Sequence, residues 1–100
     1  MPVHVKLAPD ELEKLCRAWQ VRELALFGSV LRDDFGPESD IDVLVRFEPT
    51  ARWDFWDLLD MREELAELAG RPVDLVEEDA LRNPYRRRRI LAEREVVYAA

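Results

Sequence analysis

Gly28 to Val45, GSVLRDDFGPESDIDVLV, is the stretch on which the reading of this chain turns. Before it, Val21 to Phe27 (VRELALF) places apolar residues at alternate positions Leu24 and Leu26, the pattern of a strand running into the Gly28-Ser29 turn. A short helix is expected from Ser29. Asp33 to Ser39 is rich in Asp, Gly and Pro and reads as a loop, one that leads directly into a second apolar strand from Asp40 to Val45. Side chains two apart in a strand share a face and lie about 6.6 Å apart, so Asp40 and Asp42 project together while Ile41 and Val43 face the core.

After Arg71-Pro72, Val73 to Val76 (VDLV) reads as a short third strand with Asp74 inside it. If that strand neighbours the second, three carboxylates meet at one end of a sheet, where each resists ionisation beside the others. A divalent cation resolves the conflict, and Mg²⁺ suits a set of oxygen donors without histidine or cysteine. Gly28 lets backbone approach a phosphate without a Cβ in the way, and free N–H groups after Ser29 favour an anion. Arg32, three residues after Ser29 and so on the same face of the expected helix, is placed to reach terminal phosphates, and Ser39 to orient a carboxylate or cap the turn. Each element alone is ordinary: Gly-Ser before a helix is a common N-cap, and alternating acids on a strand are usually a solvated face. Their conjunction is the signal. No GxxxxGK[ST] loop or GxGxxG turn is present, and Asp40-Asp42 lacks the later positions of a calcium hand.

Outward from these motifs, Pro9 with Asp10 and Glu11 predicts a helix start, ending near Trp19. Arg52 to Ala69 carries Phe55, Leu58, Leu59, Leu65 and Leu68 at helical spacing, with Gly70 as its C-terminal stop. Pro84 to about Tyr98 reads as a closing amphipathic helix. The expected architecture is α+β, a small mixed sheet covered by helices, in a single domain of 100 residues.

With 48% apolar and 37% charged residues the chain has the balance of a soluble globular protein. Neither a signal peptide nor an apolar run of about 20 residues occurs, so no membrane role and a cytoplasmic location are expected. Cys16, the one cysteine, is expected in the core, and His4 receives no function. A net charge of −7 works against direct binding to DNA or RNA. Arg86 to Arg89 is accordingly read as a solvated face with acid contacts. Trp53, Phe55 and Trp56, crowded at one helix start, are candidates for a protein interface or for core packing.

Gly-Ser, ten residues, then Asp-x-Asp resembles the minimal nucleotidyltransferases (MNT) of the DNA polymerase β superfamily, with agreement from about Arg22 to Ala99. VDLV is similar to the segment carrying that family's third carboxylate, and LRNPYRRRRILAEREVVYA looks like its closing helix. The resemblance implies a polymerase β-like fold and two Mg²⁺ ions roughly 4 Å apart clamping the entering and leaving oxygens. It assigns Asp40 and Asp42 to both ions, Asp74 to the ion that activates the attacking hydroxyl, and Gly28 and Ser29 to the β- and γ-phosphates of ATP or another nucleoside triphosphate. It further implies a small helical HEPN-type toxin as partner, with this chain an antitoxin that attaches AMP to it. Inhibition of the partner by contact alone, and transfer to a small molecule, stay open as alternatives. Many relatives have glycine where this chain has Asp33.

Overall fold

The computed structural model describes residues 7–32, 36 and 39–100; His4, Asp33 and most of the loop up to Ser39 lie outside them. Its elements in chain order are α1 (Pro9–Ala18), β1 (Val21–Phe27), a 3-10 turn (Gly28–Leu31), β2 (Ile41–Phe47), α2 (Phe55–Ala69), β3 (Val73–Glu77), a second 3-10 turn (Glu78–Ala80), α3 (Pro84–Glu93) and β4 (Glu95–Ala99). The strands form one sheet in the order β3-β2-β1-β4, with β1 antiparallel to both β2 and β4 and β2 parallel to β3. The α+β architecture with a mixed sheet is therefore as expected.

Helix boundaries follow local chemistry. Proline opens α1, acids occupy its first turn, and Leu12 and Cys16, one turn apart, are buried. Burial pushes the Cys16 thiol up to about 12, so it stays an uncharged core group. The second helix starts at Phe55 rather than Arg52, because Asp54 and Asp57 form a reciprocal capping box, worth about 1 kcal/mol. Arg52 instead donates to the carbonyls of Pro49 and Ala51 ahead of the helix. Gly70 ends α2 in left-handed backbone at φ +71°, donating to the Ala66 carbonyl.

The two faces of the sheet are closed by different elements. Leu24, Leu26, Ile41, Val43 and Val45 face α1 and α2, whose Leu12, Cys16, Met61 and Leu65 complete the larger core. Ala25, Phe27 and Leu44 face the other way, onto Leu81 and Ile90 of the α3 region. Met61, outside the apolar set expected from spacing, is the fully buried centre of α2, whereas Phe55 is exposed. A helix crossing a sheet buries only the stretch that touches it, so its first turn overhangs the edge.

The closing helix needs correction. It ends at Glu93, and Glu95 to Ala99 is a strand pairing with β1, Leu26 opposite Glu95 and Leu24 opposite Tyr98. Val96, Val97 and Tyr98 favour extended backbone, and pairing here satisfies the outer edge of an apolar β1 that would otherwise lie open. Arg94 fixes the switch, donating from Nε to Glu23 at 3.1 Å. No helix of the described residues is long and apolar enough to cross a membrane.

Candidate active site at the end of the sheet

Asp42 and Asp74 are direct partners in the parallel β2–β3 ladder, so their side chains lie on the same face of adjacent strands. That face is the α3 face, because their odd-numbered neighbours Ile41, Val43 and Val73 all enter the opposite core. Asp40 precedes β2 by one residue and is exposed, as is Asp74; Asp42 is half-buried. Burial raises the Asp42 carboxyl above its ordinary range, and the nearby charges of Asp74 and then Asp40 raise it further. Arg86 and Arg32 act in the opposite direction.

On the other side of β2, Phe27 is the register partner of Asp42, and Gly28 follows it. Gly28 has φ +77°, and a Cβ built on it would stand 2.3 Å from Asp42 Oδ2. Both conformation and space require glycine here. The helix expected from Ser29 is instead a four-residue 3-10 turn, after which Arg32 returns to extended backbone at φ −118°, ψ 161°. So short a turn builds no appreciable dipole, and Arg32 owes its position to the chain leaving the turn, not to a shared helix face. Ser39 accepts a hydrogen bond from the Gly36 amide at 3.1 Å, while its own amide donates to the Gly36 carbonyl. Of the two roles expected for Ser39, this is the turn cap. Arg71 ties the same bend to the sheet end by donating to the Gly36 carbonyl at 2.6 Å.

A cleft of about 330 Å³ opens between Gly28-Ser29 and α3, within the range of about 300–1,000 Å³ common for ligand sites. Asp42 and Phe27 form its floor, Arg32 one wall, and Arg86, Arg89 and Glu93 of α3 the other. Three guanidinium groups thus stand around a glycine-serine bend beside the Asp42 carboxylate, donors whose chemistry suits a phosphate. A hollow of equal volume between α1 and α2 is walled by Glu11, Glu64 and Glu67, whose charges repel such a ligand.

Arg86 and Arg89 are the residues that sequence reasoning passed over. The acid contacts expected of the arginine run do occur, Arg87 with Glu78 at 3.3 Å and Arg89 with Glu93 at 3.4 Å. Arg86, Arg89, Ile90 and Glu93 nevertheless follow the i, i+3, i+4, i+7 spacing of one helix face, and that periodicity was the available signal. Asn83 sets the start of this helix by accepting from the Tyr85 and Arg86 amides. Arg86→Ala is expected to weaken ATP binding by about tenfold or more, since hydrogen bonds to charged groups contribute about 1.5–3 kcal/mol. Arg88→Ala, outside the cleft, should change it less than about twofold in the same calorimetric titration.

Among the described residues, no three acidic, histidine or cysteine side chains are grouped so as to hold a metal ion, so the structure brings Asp42 and Asp74 together in register but does not gather Asp40, Asp42 and Asp74 into one ligand set. The donors fit a cation of another kind: hard, oxygen-seeking, and held by one or two carboxylates together with substrate phosphates.

Comparison with known proteins gives a consistent result. The model of the family described as "Nucleotidyltransferase domain" matches residues 11–97. A Methanocaldococcus jannaschii protein named for protein adenylyl transfer is 35% identical over 95 residues, 95% of this chain and 86% of its own length. The protein adenylyltransferase MntA of Thermococcus cleftensis is 34% identical over 86 residues, 86% of this chain and 82% of its own. Among solved structures, the tri-AMPylated Shewanella oneidensis HEPN toxin in complex with MNT antitoxin superposes with a TM-score of 0.65 at 19% identity, over 92% of this chain and 70% of that one. At that identity the likeness is one of fold.

Proposed function

From the premise that this chain belongs to the nucleotidyltransferase domain family and is a nucleotidyltransferase, we propose that it moves AMP from ATP onto a hydroxyl of a partner protein. The observation that carries the reading is the in-register pair Asp42 and Asp74 beside Gly28. Enzymes of this family generally use divalent metal ions; here the ions would be Mg²⁺, two in number, held by Asp40, Asp42 and Asp74. When bound they neutralise phosphate charge and stabilise both oxygens of an in-line displacement.

The chain's own residues supply binding and orientation. Gly28 admits the phosphates close to backbone, and Ser29 offers a hydroxyl and an amide. Arg32, Arg86 and Arg89 grip the β- and γ-phosphates, with Glu93 released from Arg32 and Arg89 as they do so. Ser39 contributes by holding the bend before Asp40. An acceptor oxygen then bonds to the α-phosphorus as the bond to the bridging oxygen breaks; pyrophosphate leaves, and the hydroxyl proton passes to solvent. Such chemistry depends mainly on positioning and charge.

The partner in this reading is a small helical HEPN-type protein, by likeness to relatives named for protein adenylyl transfer and to an MNT antitoxin bound to an AMPylated HEPN toxin. The chain would serve as the antitoxin of such a pair, as one unit spanning 1–100. Incubating it with Mg²⁺, ATP and the HEPN-type protein that co-purifies with it provides the test. Label from α-phosphate should appear on the partner and label from γ-phosphate in pyrophosphate. A partner neutralised without acquiring α-label would refute enzymatic transfer in favour of inhibition by contact.

A further inference from the structure

Glu93 is the acid that α3 contributes to the Gly28-Ser29 cleft, and it stands among cations. Its Oε1 accepts from Arg89 Nε at 3.4 Å, one turn back on the same helix, while its Oε2 lies 3.9 Å from Arg32 Nη2 on the facing wall. One anion therefore joins two guanidinium groups across the cleft, the arrangement a phosphate would adopt there. The backbone beneath it is braced: the Arg94 amide donates to the Ile90 carbonyl, Arg94 reaches Glu23 at 3.1 Å, and pairing of β4 with β1 begins at Glu95.

Arg86 is placed differently. Among the described residues no carboxylate lies within ion-pair distance of it, and its charge acts on Asp42 instead. Of the three arginines in the cleft, one is open to a ligand and two are already bridged. The bridges are weak ones, with 48% of the Arg32 side chain, 67% of Arg89 and 45% of Glu93 exposed. Ion pairs in such contact with water contribute little, so a phosphate can displace the carboxylate and the carboxylate can displace a phosphate. A fully buried bridge would have closed the cleft.

We propose that Glu93 is a positioning residue that acts through Arg32 and Arg89: it holds the place of a terminal phosphate before nucleotide binds, and reclaims the two arginines after transfer so that pyrophosphate leaves. This rests on the transfer reading above. ATP enters with its nucleoside and α-phosphate as additional anchors. Pyrophosphate has only the two phosphates that those arginines hold, so competition from Glu93 falls on most of what retains it.

Glu93→Gln keeps the size of the side chain and removes its charge. With Mg²⁺ present, calorimetric titration should show the variant binding pyrophosphate and ATP about threefold to tenfold more tightly than the wild type, the strength of two half-exposed ion pairs given up. Release of pyrophosphate, followed by stopped flow, should slow by a similar factor. AMP, which lacks terminal phosphates, should bind both chains equally. Glu64→Gln, which removes the same charge from the hollow between α1 and α2, should leave all three affinities unchanged and so separates a local bridge from net charge. In the transfer assay the KM for ATP should fall in Glu93→Gln, with the single-turnover rate at saturating ATP within about twofold. Weaker pyrophosphate binding by Glu93→Gln would overturn the inference, since Glu93 would then be bracing the arginines for the phosphate instead of competing with it. So would equal binding by the two chains, no binding by either, an equal gain for AMP or in Glu64→Gln, or tighter binding with an unchanged rate of release. A wild-type chain that binds pyrophosphate, is tightened by Glu93→Gln, and yet transfers no α-label would refute the transfer reading and leave the competition at Arg32 and Arg89 standing.

Discussion

Asp42→Asn should abolish transfer while leaving the folded chain at least as stable as the wild type at neutral pH. The loss of activity is expected to reach about 10³-fold or more, because charge stabilisation worth several kcal/mol disappears at about 1.4 kcal/mol per tenfold in rate. Stability moves the other way because Asp42 is ionised at a cost. Its carboxyl is raised by burial and by the charges of Asp74 and Asp40, so the folded chain holds that proton more tightly than the unfolded chain does. Below the ordinary carboxylate range both states are protonated and the group contributes nothing. As pH climbs from that range through the raised value, stability falls, and above it the full penalty persists. Asparagine has no such penalty, so in chelating buffer the Tm advantage of the variant should grow between acid and neutral pH. Adding Mg²⁺ and ATP should reverse the order, stabilising the wild type by mass action and leaving the variant nearly unmoved. A variant less stable than wild type in chelator, or still stabilised by Mg²⁺-ATP, would contradict the role given to Asp42. The same substitution separates enzyme from inhibitor: neutralisation by contact alone survives Asp42→Asn, whereas neutralisation by AMP transfer does not.

What could be read in advance was set by how directly each residue's backbone fixes its direction. Asp40, Asp42 and Asp74 lie in or beside strands, where period two assigns a face as soon as Ile41, Val43 and Val73 are placed in the core. Gly28 follows from the end of an apolar strand. Arg86 and Arg89 were obscured because a run of four arginines covers every direction around a helix. Only the docking of Ile90 against Phe27 and Leu44 decides which two of the four point toward the cleft. The closing strand was hidden for a related reason. Ile90, Leu91 and Val97 fit a helical period, and nothing in Arg94 itself announces a break; the demand comes from the open edge of β1, more than sixty residues earlier, which no local window contains. Phe55 and Trp53 illustrate the same limit. Neighbouring aromatics were separated into an exposed surface and an internal brace by contacts with Trp19, on a different element.

Gly28 and Gly70 permit a test in which strain and chemistry come apart. Both sit in left-handed backbone, at φ +77° and +71°, so alanine at either carries a conformational cost of roughly 1–2 kcal/mol. In a chain of this size that lowers Tm by about 4–8 °C per kcal/mol. Beyond that shared cost the two sites differ. A Cβ on Gly70 meets nothing within 4 Å, so Gly70→Ala should lose stability and keep full transfer activity. On Gly28 it would overlap the Asp42 carboxylate, 2.3 Å from Oδ2, and must displace that group. Gly28→Ala should therefore lower Tm further than Gly70→Ala, remove stabilisation by Mg²⁺-ATP, and reduce transfer by about 10²-fold or more, since misplacing a positioned group by about 1 Å has that effect. Paired thermal melts and single-turnover rates measure both quantities. Equal losses of activity in the two variants would mean that the bend matters only for folding. A loss confined to Gly28→Ala would mean that the sequence keeps glycine there to let a phosphate and a carboxylate occupy the same end of the sheet.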